Sequence, residues 1–470
     1  MKLAKLSLAA IVVAGLASSS FAASDTLADA FKNGKVSGEL KAWYFDKTVE
    51  NATFAPANKA QDRSHNANIA NFGVTLGYVT DSLYGFRLGT TFQGSSTPFA
   101  NDEAKGYAGT HSSPAANSAN FSTTNAASGA TLSEAYLGYA LGKTDVKIGR
   151  QFISTPLVNG SGSRFFKESF EGALIVNTDL PQTTLIGGYV NKFQGRTSAI
   201  DDATDLGNNP QFHKSAVFAG LKNTGIGTDY TEFDGAYTLG VINKSITNLA
   251  LTAQYAIVKD VADIADVDVY YTEANYVLPV AGFKLGFDAN FRGSKTDSAL
   301  DALNADGKMY AGRISIKELA GFGASFAAAT TSTNDHVILG LGNGPTTYTA
   351  TMIAGAATPT AGANTDSYLV ELTYDFSKIG VTGLTAVAQY AWTSQGDIPQ
   401  STMAGVQTVK NGTDRTTYAA GVTYAVPALK GLTTSLQYET QEAEFKGANE
   451  ATTHKTNDTD ELWFKANYKF

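Results

Sequence analysis

The side chains able to do chemistry in this 470-residue chain are sparse: 17% of residues are charged, five are His and none is Cys. His65, His111, His213, His336 and His454 all fall in polar stretches, and none has the neighbouring Ser and acid that nucleophilic catalysis requires. These histidines therefore give no sign of catalysis. Two acidic clusters, Asp201, Asp202 and Asp205, then Asp263, Asp266 and Asp268, offer the oxygen ligands calcium takes, but neither has EF-hand spacing. Solvated loops, or loops whose carboxylates are bridged by divalent ions, account for both, so no metal or cofactor is assigned.

The remaining charges stand at alternate positions of extended segments. One parity carries Lys41, Arg87, Lys147, Lys192, Lys284, Arg292, Arg313 and Lys317, against Glu39, Glu134, Glu273, Asp288, Glu371, Asp375 and Glu439. Such a nearly balanced wall suits small hydrated solutes, with selectivity set at its narrowest ring. Trp43, Tyr136 and Tyr271 share this parity but are too scattered for sugar stacking. The narrowest ring is sought in 149–172, GRQFISTPLVNGSGSRFFKESFEG, which holds a turn and unusually many apolar residues for a loop. Arg150, Arg164 and Lys167 would form one side of the constriction, with Glu168 and Glu171 opposing them. Strict alternation from Val146 and Ile148 points Arg150 outward, so a bulge is expected at Gly149 unless the strand has already ended.

The elements that must carry these residues are strands. Phe283, Leu285, Phe287, Ala289 and Phe291 take one side of their segment; Tyr368 to Phe376, Leu384 to Trp392 and Thr416 to Val426 repeat the alternation. Segments of about 10 alternating residues mark a lipid-facing barrel. Aromatics near strand ends, such as Tyr78, Phe86, Tyr139, Tyr310, Phe322 and Trp392, predict two girdles. After the first residues no segment reaches the length of a helical span.

Connection lengths predict the strand count. Eight are short (81–85, 142–144, 179–183, 243–248, 279–282, 319–321, 378–383 and 428–431), and long polar stretches such as 95–130, 194–232, 332–365 and 394–413 alternate with them. Eight turns, with an opening strand at 35–45 and a closing strand at 459–470, predict eighteen strands. The segment 216–222 would break the parity and is assigned to a hairpin within a long extracellular loop. An antiparallel transmembrane barrel of this size leaves a water-filled channel unless something plugs it. Residues 1–22, with Lys2, Lys5 and an apolar stretch before Ser20, Phe21 and Ala22, read as a removed secretory signal. A short periplasmic segment, 23–34, precedes the barrel at 35–470. No basic stretch suggests a nucleic-acid partner.

The segments SEAYLGYALGKTDVKIGRQF and GSRFFKESFEGALI resemble OprD-like outer-membrane porins, a major outer-membrane porin type. Arg150, Arg164, Phe170 and Gly172 fit that family's pattern, while Lys167 and Glu171 depart from it. The resemblance implies an eighteen-stranded channel in a Gram-negative outer membrane, an inward-folded third loop and a basic ladder in the wall. It also implies that the final strand, ending in Phe470, is read by the insertion machinery. The expected function is passive diffusion of small hydrophilic solutes and ions with modest selectivity, in contact with lipid and lipopolysaccharide. A homotrimer stays open, as does a role as adhesin or surface receptor.

Overall fold

A computed structural model describes residues 24–53, 63–101, 129–196, 211–220, 230–353, 357–401, 407–410, 412–446 and 455–470. The alternating segments form strands β1 (Lys35–Thr53), β2 (Arg63–Val79), β3 (Phe86–Ala100), β4 (Gly129–Leu141), β5 (Thr144–Gln151) and β6 (Ser169–Asn177). They continue as β7 (Thr183–Gln194), β8 (Gly235–Asn243), β9 (Leu249–Val261), β10 (Ala265–Val280), β11 (Phe283–Thr296) and β12 (Lys308–Leu319). The last six are β13 (Phe322–Thr331), β14 (Thr365–Asp375), β15 (Leu384–Gln395), β16 (Thr413–Ala425), β17 (Leu432–Phe445) and β18 (Lys455–Lys469).

Each strand pairs antiparallel with the next, and β18 returns to β1 from Glu39 opposite Lys469 to Thr53 opposite Lys455. Phe470 and Gly38 exchange both backbone hydrogen bonds at 3.0 Å, so pairing runs to the last residue. Closure leaves no strand edge to be satisfied by lipid, which cannot hydrogen-bond. The barrel itself has the expected eighteen strands, joined by all eight expected short turns. Gly282 ends one turn at φ 89° with open space where a Cβ would lie, so backbone conformation alone requires it. At Gly431, φ is 96° and a Cβ would also lie 2.1 Å from the Lys469 carbonyl.

The two parities meet different surroundings. Ile148, Leu239, Phe322 and Leu372 are among the most exposed large side chains, whereas Gln151, Gln389, Glu439 and Glu461 on the other parity are buried. Exposed apolar residues outside and buried polar residues inside are the pattern of a barrel in lipid. Cross-strand aromatic pairs ring both ends. Phe86 with Tyr139 and Phe322 with Tyr374 lie at the short-turn end, and Tyr189 with Tyr237 and Tyr368 with Trp392 toward the other.

A short helix α1 (Leu27–Lys32), capped by Thr26, precedes β1. Ser24 Oγ donates to Asp81 Oδ2 at 2.7 Å and Asp81 N to the Ala30 carbonyl at 2.9 Å, tying this segment to the β2–β3 turn. The expected hairpin at 216–222 is corrected in part. Ser215–Ala216 pairs with Thr231–Glu232 of the same connection, but Phe218–Ala219 pairs with Gly340–Leu341 of another. The reason is apolar: Phe218 is buried against Phe233.

Candidate constriction between two inward loops

The β5–β6 connection, 152–168, folds into the barrel as its apolar content suggests. Ile153, Leu157, Val158, Phe165 and Phe166 are all buried. Gln254 on β9 receives the Leu157 N–H at 2.9 Å and donates to Thr155 Oγ1 at 2.9 Å. Arg292 on β11 donates to the carbonyls of Pro156 (3.2 Å) and Leu339 (3.0 Å) while lying over the Tyr271 ring. Arg292 therefore ties loops to the wall rather than presenting a bare wall charge.

Leu339 belongs to the β13–β14 connection, 332–364, whose described residues also fold inward; from sequence it reads as an outer loop. Its path is pinned at mid-strand by carboxylates and amides of the wall. Glu273 on β10 accepts from the Tyr348 hydroxyl at 2.5 Å. Glu439 on β17 accepts from Thr351 Oγ1 (3.1 Å) and Ile353 N (3.0 Å), and Gln389 on β15 from Met352 N (2.9 Å). The loops also bind each other: Asn159 N donates to the Leu341 carbonyl at 3.0 Å, and Leu341 N to that of Leu157 at 2.8 Å. A sequence signal existed in Val337, Ile338 and Leu339, an apolar run inside a polar stretch. The anchors Glu273, Gln389 and Glu439 gave none, since each reads as an ordinary inward wall residue.

Around residues 163–168 the structure gathers cations. Lys41 on β1 donates to the Phe165 carbonyl at 3.0 Å and Lys465 on β18 to that of Ser163 at 3.1 Å. Arg164, between them in the chain, lies over the Trp463 ring, with its Nε buried and without an acceptor among the described residues. Arg196 donates to Ser163 Oγ at 3.0 Å, and Lys167 Nζ sits over the Phe152 ring. Lys465 itself lies 4.3 Å from the centroids of both Trp43 and Trp463. Aromatic faces hold Arg164, Lys167 and Lys465 in place without neutralising them, while Arg196 lies 3.9 Å from the Glu168 carboxylate. Lys465 and Arg196 were missed from sequence because neither lies near the 149–172 segment.

Glu168 does not oppose the cations as an open charge. It is fully buried and accepts from Ser161 N (2.8 Å), Asn343 N (2.9 Å) and Asn343 Nδ2 (2.5 Å). Burial pushes its carboxyl up from the usual range, while Arg196 and the N–H donors pull it back.

Arg150 and Glu171 stand elsewhere. β5 continues to Gln151 and the ladder passes Gly149 without a register shift, so Arg150 shares the outward parity of Ile148. Glu171, its register partner on β6, bonds Arg150 Nε at 3.0 Å and Lys192 Nζ at 2.9 Å. The expectation that Arg150 and Glu171 line the constriction is corrected by this register. Lys192 is likewise turned outward, by a bulge: Glu171 faces Lys192 and Gly172 faces Val190, leaving Asn191 as the extra residue.

The other wall residues face inward. Arg87 pairs with Asp145, Arg313 bonds Asp288 at 2.7 Å and lies over the Tyr348 ring, and Lys284 pairs with Glu318 at 2.9 Å. Asp288 also receives Asn275 Nδ2 at 2.9 Å. Of the acidic clusters, Asp201, Asp202 and Asp205 lie outside the described residues. Asp266 bonds Lys259 and Asp268 accepts from the Tyr255 hydroxyl; among the described residues no acidic or His group has the arrangement to hold a metal.

A family model described as outer membrane porin, OprD family, matches residues 29–470. No curated protein matches the chain in sequence. Solved porins of Pseudomonas aeruginosa match its fold. OccK9 (OpdG) is 17% identical at a TM-score of 0.67, covering 94% of this chain and 100% of that one. OpdO is 16% identical at 0.65, covering 94% and 98%. OpdK, solved with vanillate, is 14% identical at 0.63, covering 92% and 98%.

Proposed function

Because the chain belongs to the OprD family of outer membrane porins, channels for small solutes in the outer membrane of Gram-negative bacteria, we propose that its selectivity resides in the cation cluster around Arg164. In this reading Arg164 and Lys167, with Lys41, Arg196 and Lys465, line the constriction and favour small solutes bearing a negative group. The observation that carries it is Arg164: its guanidinium lies over Trp463 with no carboxylate bonded to it among the described residues, so its field stays available. Low-dielectric walls strengthen each such charge. Vanillate, the molecule named with OpdK, is an aromatic carboxylate and of the class this cluster would draw.

Selectivity is modest, because Glu39 and Glu461 share the same stretch of wall and pair with Lys41 and Lys47. Transport is passive and without catalysis. Residues 1–22 act as a removed signal, the insertion machinery reads the strand ending in Phe470, and the outer face meets lipid and lipopolysaccharide. Cross-linking in native membranes decides between single barrels and homotrimers. Uptake into liposomes tests the solute class. Carboxylates should enter faster than amines of equal size, and Arg164→Ala with Lys167→Ala should remove the difference; equal rates in the unaltered protein would contradict the reading.

A further inference from the structure

The outward row Arg150, Glu171 and Lys192 has no part in the channel, yet it is built. The three residues sit on adjacent strands β5, β6 and β7 in one line of the register, cation, carboxylate, cation. Glu171 spends one oxygen on each neighbour, so the row keeps one surplus positive charge. The Asn191 bulge, which interrupts the ladder, is what turns Lys192 to this face. The Phe212 ring lies 4.3 Å from the Arg150 guanidinium and fixes its plane. Only Nε of that guanidinium is engaged, by Glu171, and its two terminal amino groups have no partner among the described residues.

The depth of the row defines its surroundings. One step toward the short turns on the same face stand Ile148 and Ala173, register partners, and Tyr189, which pairs with Tyr237 in the outer aromatic girdle. The row thus lies just beyond the apolar belt on the extracellular side, at the level of lipid headgroups. A planar guanidinium whose two amino groups have no partner among the described residues, beside an ammonium, matches the oxygens of a phosphate.

We propose that Arg150, Glu171 and Lys192 form an outward-facing receptor for a phosphate group of the outer-leaflet glycolipid. The site rests on the outer-membrane placement of the barrel and not on the proposed solute selectivity. Arg150 and Lys192 contact the phosphate, and Glu171 positions both.

Native mass spectrometry of the detergent-purified full-length barrel tests this, with phosphorylated and dephosphorylated lipid A as probes. The unaltered protein should retain the phosphorylated form. R150Q/K192Q should retain it about thirtyfold less, as expected for two cations lost at headgroup level. R150K/K192R should keep most of the retention, and R150Q/K192Q should still give the unaltered single-channel conductance, which separates loss of lipid from loss of fold or of the constriction. Equal retention by R150Q/K192Q, or of dephosphorylated lipid A, would overturn the proposal. So would displacement of lipid A by millimolar inorganic phosphate, which would identify the site as one for free phosphate.

Discussion

Glu168 and Asn343 are 175 residues apart, and Glu168 takes both the backbone and the side-chain N–H of Asn343 at 2.9 and 2.5 Å. This pair locks the β5–β6 loop to the β13–β14 loop inside the barrel. Glu168→Ala strands three donors, the buried Ser161 N–H and the two partly buried N–H groups of Asn343, at a cost of up to roughly 1–3 kcal/mol for the buried one and less for the others. The barrel should still fold, but single-channel traces should flicker between sublevels as the loops part. Steady traces equal to those of the unaltered protein would contradict the clasp.

The second loop is held to the wall by Glu273 and Glu439. Substituting both by Ala releases the stretch from Tyr348 to Ile353, so unitary conductance should rise. A fall, or no change, would show that this loop does not narrow the path.

Leu239 lies at the middle of β8 on the outer face and is 69% exposed. Leu239→Arg should destabilise the folded barrel by about 2–4 kcal/mol, as for a basic residue at the bilayer midplane. Reversible unfolding from lipid vesicles measures this.

The ring of Phe470 lies over Gly38, where an added Cβ would come within 2.2 Å of it. Gly38→Val should therefore displace the terminal ring and weaken closure of β18 on β1. The heat-modified shift in electrophoretic mobility should then occur at a lower temperature than in the unaltered protein.

The wall was legible because alternation is a local property. Tyr418, Ala420 and Val422 face lipid whatever the loops do, and the short turns count themselves. Where a single residue breaks the period, the reading breaks with it. Lys192 appeared inward because Asn191 looks like any other strand residue, and only pairing with Glu171 reveals the bulge. At Gly149 the opposite occurred: an expected bulge is absent, and simple parity would have placed Arg150 correctly.

The proposed constriction was legible in part. Apolar residues in 152–168 signal a loop that must bury them, which led to Arg164 and Lys167. The partners that shape the site, Lys465 on the last strand and Asn343 in a distant loop, are brought together only by barrel closure and loop docking. Neither is expressed in local spacing.

The most direct measurement is the reversal potential of single channels under a salt gradient, for the unaltered protein and for Arg164→Ala with Lys167→Ala. A constriction governed by the cation cluster predicts a preference for anions that shrinks toward zero in the double variant, with the channel still open. A preference for cations in the unaltered protein, or one for anions that survives both substitutions, would contradict it.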